Sequence, residues 1–575
     1  MISKRWLLVS VLLCCTGIFA QKEEDAAKEK LRRQTMLIDS ITADTRELRL
    51  GVNRAILFAK IGGRLWDIDQ KRARDLFQDA VSELIGAQSA AESARKTGSQ
   101  NVLLTGQSTR PQILQTIAAR DAELALQSFY KTRPATIERA MYSVKAKDSR
   151  IRSNSGTEQY YLNNELQLEQ SLLKLAADQN PERAITLLKA ALKGGVSNET
   201  LHLLRKLYEK DPVAASEMAA EIVSQISRKT FIVANQPDYQ TMQVASSILT
   251  ESIRERPATE KSLRFDTSQM RPLAEKLISF YIERGSQYGY NLGPSILQIA
   301  EKYTPSMVEK LKNAEKIMPR RGLHYVNPDE ATAKLLNNDT PVEQVLAEAA
   351  KLPAESRGRV YQSAATRLTA AGDFTRARSI LNDNFSDEAL ENAVSTLDWY
   401  YAHQLMNQGR YPEAEALIDQ FPESNKQSAM IALATAVFNK DAEKNKSYAG
   451  VLLEKARTQL SPRPETNTEM SQTMQVIGAY TKIEPPEAFR MFEGLVPQLN
   501  ELTEAVVVMS GFQGNASIRQ GEMLVEQSNS LGFYLDFVIV RNLAQIDFDR
   551  TMSIIASFTR REMRVNLKLQ LLEGL

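Results

Sequence analysis

Residues 357–381 read RGRVYQSAATRLTAAGDFTRARSIL, and they spell out a helix, a turn and a second helix. Tyr361, Ala365 and Leu368 fall at i, i+4 and i+7, one face of a helix. Gly372-Asp373 then breaks the run, with Asp373 placed to cap the second helix. Four residues on comes Ala377, small enough to let that helix approach the first closely. One turn later Ile380-Leu381 supplies an apolar pair to fill the seam to a neighbouring unit.

The same grammar recurs along the chain. It occurs at Asp69…Ala73…Leu76-Phe77, at Asn180…Ala184…Leu187-Leu188 and at Asp211…Ala215…Met218-Ala219. It continues at Arg410…Ala414…Leu417-Ile418, at Asn445…Ala449…Leu452-Leu453 and at Glu484…Ala488…Met491-Phe492. Fainter copies are Asp121…Ala125 and Asp547…Thr551…Ile554-Ile555. Any amphipathic bundle yields one such match by chance. Four in series, starting at 373, 410, 445 and 484 with spacings of 37, 35 and 39 residues, predict stacked hairpins. The fold expected is therefore all-α, a partly irregular α-solenoid without sheet.

Outside the repeats, Leu57, Ile61 and Leu65 mark one face of a helix, and Ala55, Phe58, Ala59, Gly62 and Trp66 mark another. A helix apolar on two faces has neighbours on both. Val506-Val507-Val508-Met509 is β-prone but sits in a helical frame. The run Glu23–Arg33 mixes charge signs at helical spacing and reads as a solvated leading helix. Breaks rich in Ser, Gly, Asn and Pro fall at Lys96–Arg110, Asp148–Gly156, Phe231–Asp238, Pro319–Pro328 and Ser461–Asn467. They suggest an N-terminal helical region over 21–147, hairpin repeats over 158–228 and an irregular region over 238–318. Further repeats occupy 329–460 and 465–575.

Tyr361, Ala365, Leu368, Gly372, Asp373, Phe374, Ala377 and Leu381 resemble a tetratricopeptide (TPR) repeat. So do Ala402, Leu405, Gly409, Tyr411, Ala414 and Ile418. The period exceeds 34, Asp398 stands at the family's first-helix Trp position, and the closing Pro is missing. The resemblance implies a concave face, lined by first helices, that binds a protein or peptide. Carried over to this chain, that face holds Arg359, Gln362 and Thr366 from one unit and Trp399, His403 and Asn407 from the next. A Trp packed between helices and a satisfied His account for Trp399 and His403 more simply. The chain as a whole is similar to uncharacterised secreted helical-repeat proteins of acidobacterial type.

Residues 1–20 have the layout of a secretory signal peptide: Lys4 and Arg5, an apolar run from Trp6 to Phe19, then Ala20 before Gln21-Lys22-Glu23-Glu24. Export to a periplasmic or extracellular compartment is the expectation, with retention as an uncleaved anchor the alternative. Leu12 and Leu13 precede Cys14 where a lipoprotein signal needs a small residue, which disfavours lipid attachment. Cys14 and Cys15 are the only cysteines, so from Gln21 onward disulfides, thiolate nucleophiles and thiolate metal sites are excluded. His202, His324 and His403 are far apart in sequence, and neither HExxH nor GxSxG is present. With no such motif, no cofactor or metal is expected. The 72 basic and 70 acidic residues give no argument for nucleic acid or an anionic membrane as partner.

Single features have plain explanations. Asp67/Asp69 read as a capping turn, Gly62-Gly63 as close helix packing, and Gly511-Phe512-Gln513-Gly514-Asn515 as a helix break. Arg560, Arg561, Arg564 and Lys568 read as cations at a helix C-terminus. The sequons at Asn198, Asn338, Asn384, Asn445 and Asn515 are at chance level. The expectation is a non-enzymatic adaptor or scaffold that binds a protein or peptide. The alternative is a secreted all-α hydrolase of glycosidase type, but past residue 20 it could draw on only Trp66 and Trp399 as tryptophan platforms.

Overall fold

The computed structural model describes residues 25, 27–96, 105–135, 137–138, 155–179, 186–187, 196–233, 236–254, 263–288, 294–317, 332, 335–337, 340–515, 517–525, 532–533 and 535–574. The expected signal at 1–20, the Asn180…Ala184 turn and the 319–328 break lie outside these residues. Two compact units divide the chain: Thr45–Leu323, and Met1–Asp44 together with His324–Leu575. A helix over 27–46 (α1) opens the described chain.

The unit Thr45–Leu323 begins with α2 (Gly51–Leu65), α3 (Gln70–Lys96), α4 (Thr105–Ala118), α5 (Ala122–Lys131) and α6 (Ser155–Gln179). It continues with α7 (Thr200–Lys210), α8 (Pro212–Arg228), α9 (Tyr239–Ile253), α10 (Thr267–Tyr288), α11 (Pro294–Tyr303) and α12 (Val308–Ile317). Helices α2, α4, α6, α7, α9 and α11 touch one another in sequence, and α3, α5, α8 and α10 each lie against two consecutive members of that row. Both faces of α2 are buried, from Ala55 and Leu57 through Phe58 and Ile61 to Leu65, because α3 and α4 flank it. At Gly62 the approach is closest: a Cβ there would sit 2.7 Å from Phe77 Cε1.

The other unit repeats this plan more regularly. Its helices are α13 (Val342–Ala349), α14 (Ala354–Ala370), α15 (Phe374–Asn384), α16 (Asp387–Asn407), α17 (Tyr411–Ile418) and α18 (Glu423–Lys440). Then come α19 (Ala442–Arg457), α20 (Asn467–Ile483), α21 (Pro485–Phe512), α22 (Phe537–Ile546), α23 (Phe548–Ala556) and α24 (Arg561–Gly574). The even-numbered helices from α14 to α24 touch in order, and each odd-numbered helix between them packs on the two that flank it. This is an all-α solenoid of stacked hairpins. The part of α1 that belongs here joins the far end of the same unit, where Lys568 Nζ donates to Asp44 Oδ2 at 2.6 Å and to Ser40 Oγ at 2.8 Å.

The hairpin grammar has a visible cause. Asp69, Asp121, Asp211, Asp373 and Asp547 each accept a hydrogen bond from the backbone N–H three residues on, at 3.0–3.2 Å. Ala73, Ala125, Ala215, Ala377, Ala414, Ala449 and Ala488 are all fully buried. Before the turn, Gly372 (φ +88°) and Gly409 (φ +76°) take the left-handed conformation. Asp373 N–H then bonds Leu368 O and Gly372 N–H bonds Thr369 O, and Arg410 and Gly409 repeat both bonds onto Leu405 and Met406. These are Schellman closures, which use up the last helical carbonyls.

Four expectations need correction. Helix α19 starts a turn before Asn445, capped by Asp441 through Lys444 N–H at 3.1 Å. Asn445 instead donates to Val437 O at 3.0 Å. The series therefore starts at 373, 410, 441 and 484, and unit length varies more than the sequence spacing implied. Among the described residues sheet is present as two short antiparallel ribbons, β1 (Ile232–Val233) with β2 (Gln236–Pro237), and β3 (Ile518–Arg519) with β4 (Glu522–Met523). The second turns on Gln520 and Gly521, both at positive φ. Helix α4 begins at Thr105, inside the expected 96–110 break, and carries Pro111 internally. Arg560 through Lys568 lie at the start of α24, not at a helix C-terminus. Their partners lie within the same unit: Arg560 pairs with Glu504 and Glu562, Arg564 donates to Phe558 O and Thr559 O, and Lys568 pairs with Asp44.

Candidate binding face

Helices α14 and α16 are consecutive members of the even-numbered row. On α14 the buried residues Val360, Ala364, Ala365 and Leu368 mark the core side. Arg359, Gln362 and Thr366 lie on the opposite side by helical phase: Arg359 is exposed, the other two half-buried. On α16 the core side carries Ala393, Leu397, Ala402 and Leu405. Trp399 and His403 are half-buried and Asn407 is exposed on the flank away from it.

These side chains are held in different ways. The Trp399 and His403 rings meet edge to face, with centroids 4.8 Å apart and planes at 64°. Thr366 donates back to Gln362 O at 2.9 Å, which ties it to its own helix. Asp398 turns to the odd-numbered row and meets Arg378 at 3.3 Å. Burial raises its carboxyl pKa, and Arg378 offsets only part of that rise. Beside this pair Phe374 and Tyr401 stack at 4.1 Å, which fixes α15 on α16. An ion pair and an aromatic stack thus join α15 to α16.

Further residues extend the same face, and sequence reasoning did not single them out. Asn425 Nδ2 on α18 donates to Ser395 Oγ on α16 at 2.6 Å, and Ser428 on α18 donates to Gln475 on α20 at 3.4 Å. Tyr400 stands half in solvent. Small polar residues on one phase of successive even-numbered helices were the available signal.

The carboxylates most open to an acid–base reading are already engaged. Asp69 caps α3, and Asp67 pairs with Arg120 at 3.1 Å. In the unit Thr45–Leu323, buried Glu165 takes a two-pronged bond from Arg110 at 2.7 and 3.1 Å, and a further bond from Arg133 at 2.9 Å. Phe129 lies under both guanidinium groups. In the other unit, buried Glu562 accepts from Met523 N–H at 3.0 Å. Among the described residues no group of three or more His, Cys, Asp or Glu gathers as a metal site would, and no helix is long and apolar enough to cross a membrane.

No family model matches the chain, and no curated protein does. Among solved structures it aligns with a circular tandem repeat protein with novel repeat topology and enhanced subunit contact surfaces. That alignment spans 95% of this chain and 96% of the other at 14% identity, with a TM-score of 0.14, a likeness too low to carry an argument.

Proposed function

We propose that this chain is an exported, non-enzymatic helical-repeat scaffold of the periplasm or cell envelope. It would hold a segment of a partner protein across the even-numbered row around Arg359, Gln362, Thr366, Trp399, His403 and Asn407. One observation carries this reading: two consecutive helices of the row turn polar and aromatic side chains away from their core, and small polar residues continue that face onto α18 and α20. Aromatic and arginine side chains on a polar rim are the composition from which protein-binding surfaces draw their energy.

The test is affinity capture from envelope extract by the Gln21–Leu575 chain and by its Arg359→Glu/His403→Glu/Asn407→Arg variant. Two of these positions are exposed and one half-buried, so the melting curve should barely move. A reproducible partner set should appear with the first chain and fall about tenfold with the second. A partner set indifferent to the substitutions places the interface elsewhere. No reproducible partner at all removes the scaffold reading. Export is checked separately, by finding a mature N-terminus at Gln21 in envelope protein.

A further inference from the structure

Where α1 meets α22, α23 and α24, within one unit, a cavity of about 170 Å³ opens between Arg33, Arg541, Ala544, Gln545, Phe548 and Leu571. Its walls are mainly apolar: Ala544, Phe548 and Leu571 are all buried. Its polar groups are two arginines and one glutamine, with no carboxylate among the lining residues. Arg33 is built in. Its Nε donates to Glu29 Oε1 at 2.8 Å, and its guanidinium lies 5.2 Å from the centre of the Phe548 ring. Arg32 and Arg33 together hold Glu29 down at about 2, so Glu29 stays ionised and keeps Arg33 in place.

Arg541 is different. Its stem passes over Gly574, where a Cβ would lie only 3.0 Å from Arg541 Cδ, so the Gly574 backbone lies close against the stem. No hydrogen bond or ion pair engages its guanidinium among the described residues. A planar cation with five donors, and with no carboxylate partner among the described residues, stands beside a mainly apolar hollow. Such a hollow of about 150 Å³ holds a molecule the size of benzene.

We infer that this cavity binds a small amphipathic carboxylate, an aryl or short-chain acid. Its apolar group would sit against Phe548, Leu571 and Ala544, and its carboxylate would take the free fork of Arg541, with Arg33 supporting from across the ring. The chemistry demands both halves. A neutral molecule of the same shape leaves Arg541 without a partner, and a small inorganic anion leaves the apolar walls wet.

The test uses 4-fluorobenzoate, 4-fluorobenzyl alcohol and inorganic phosphate with the Gln21–Leu575 chain. Binding is read by fluorine NMR line broadening for the first two and by competition against 4-fluorobenzoate for phosphate. The carboxylate should bind about tenfold more tightly than the alcohol, and phosphate should compete poorly. Arg541→Gln should remove that preference without moving the melting temperature, because no described contact of its guanidinium is lost. Ala544→Leu, which fills the hollow, should weaken both organic probes. Equal binding of acid and alcohol, unchanged binding in Arg541→Gln, or no binding at all overturns the assignment. So does binding that appears only after Leu575 is deleted.

Discussion

Gly62 shows how much one hydrogen atom can matter in a solenoid. It lies where α2 presses on α3, and an added methyl would stand 2.7 Å from Phe77 Cε1 and 3.0 Å from Ala73 O. Phe77 is itself fully buried and cannot step aside. Gly62→Ala should therefore destabilise by about 1–3 kcal/mol in urea unfolding, despite the better helix propensity of Ala. His202, on α7, makes a pH-dependent case. Burial is the main cause that lowers its pKa, Lys174 adds to the effect, and Glu199 opposes it. The folded chain thus binds this proton less readily than the unfolded chain, whose imidazole titrates near the ordinary value of about 6.5. Its contribution to stability is full above that value and is lost as pH falls through the window down to the lowered folded pKa. The urea midpoint of His202→Gln should fall less between pH 7.5 and pH 5 than that of the unsubstituted chain. Equal falls would show that His202 is not the group sensing pH.

At the level of the helix, turns of two designs do one job. Asp373 caps α15 with a side-chain bond to Arg376 N–H at 3.2 Å, after Gly372 has closed α14. Arg410 and Glu484 occupy the same place with no side-chain cap, but Pro412 and Pro485 come next in the first turn and preset its backbone. Asp373→Ala should cost about 1 kcal/mol, and Gly372→Ala a similar amount through its left-handed φ. Arg410→Ala removes only exposed contacts, with Glu413 and Gln408, and should cost less than either. Denaturant midpoints on the three variants distinguish the two designs. The same contrast separates features legible in the residues from those that are not. Asp373, Ala377 and Gly372 announce their hairpin because cap, close approach and helix stop are local events. Asn445 misled because Asp441 offers a better cap one turn earlier, and two polar residues at helical spacing compete for the same role. The β3–β4 ribbon hangs on Gln520-Gly521, a turn signal flanked by too little alternation to notice. The pairing of Arg110 with Glu165, and of Lys568 with Asp44, joins residues that no local pattern relates. The candidate face was legible on α14 and α16 by helical phase, whereas the Arg33/Arg541 cavity needed the two ends of the chain to be brought together.

Across a whole unit, the order of contacts governs how a disturbance spreads. From α14 to α24 each even-numbered helix touches the next, and the odd-numbered ones between them pack mainly on their flanking pair. Side-chain ties have the same short range: Glu415 on α17 meets Tyr448 and Lys455 on α19, and Arg550 on α23 meets Glu493 on α21. Stability in such an array is close to a sum over neighbours, so strain at one seam should weaken that seam and fade with distance along the row. Ala414 lies fully buried between α17 and its neighbours, and replacing it with Leu overpacks that seam by about 1–3 kcal/mol. Amide hydrogen exchange in Ala414→Leu should accelerate in α16, α17 and α18, while α24 keeps its protection. A uniform loss of protection from α14 to α24 would mean that the unit unfolds as one globule and that its hairpins do not act as links in a chain. That outcome would also weaken the case for an elongated binding face, because a face built from separable links can lose one helix's contribution and keep the rest.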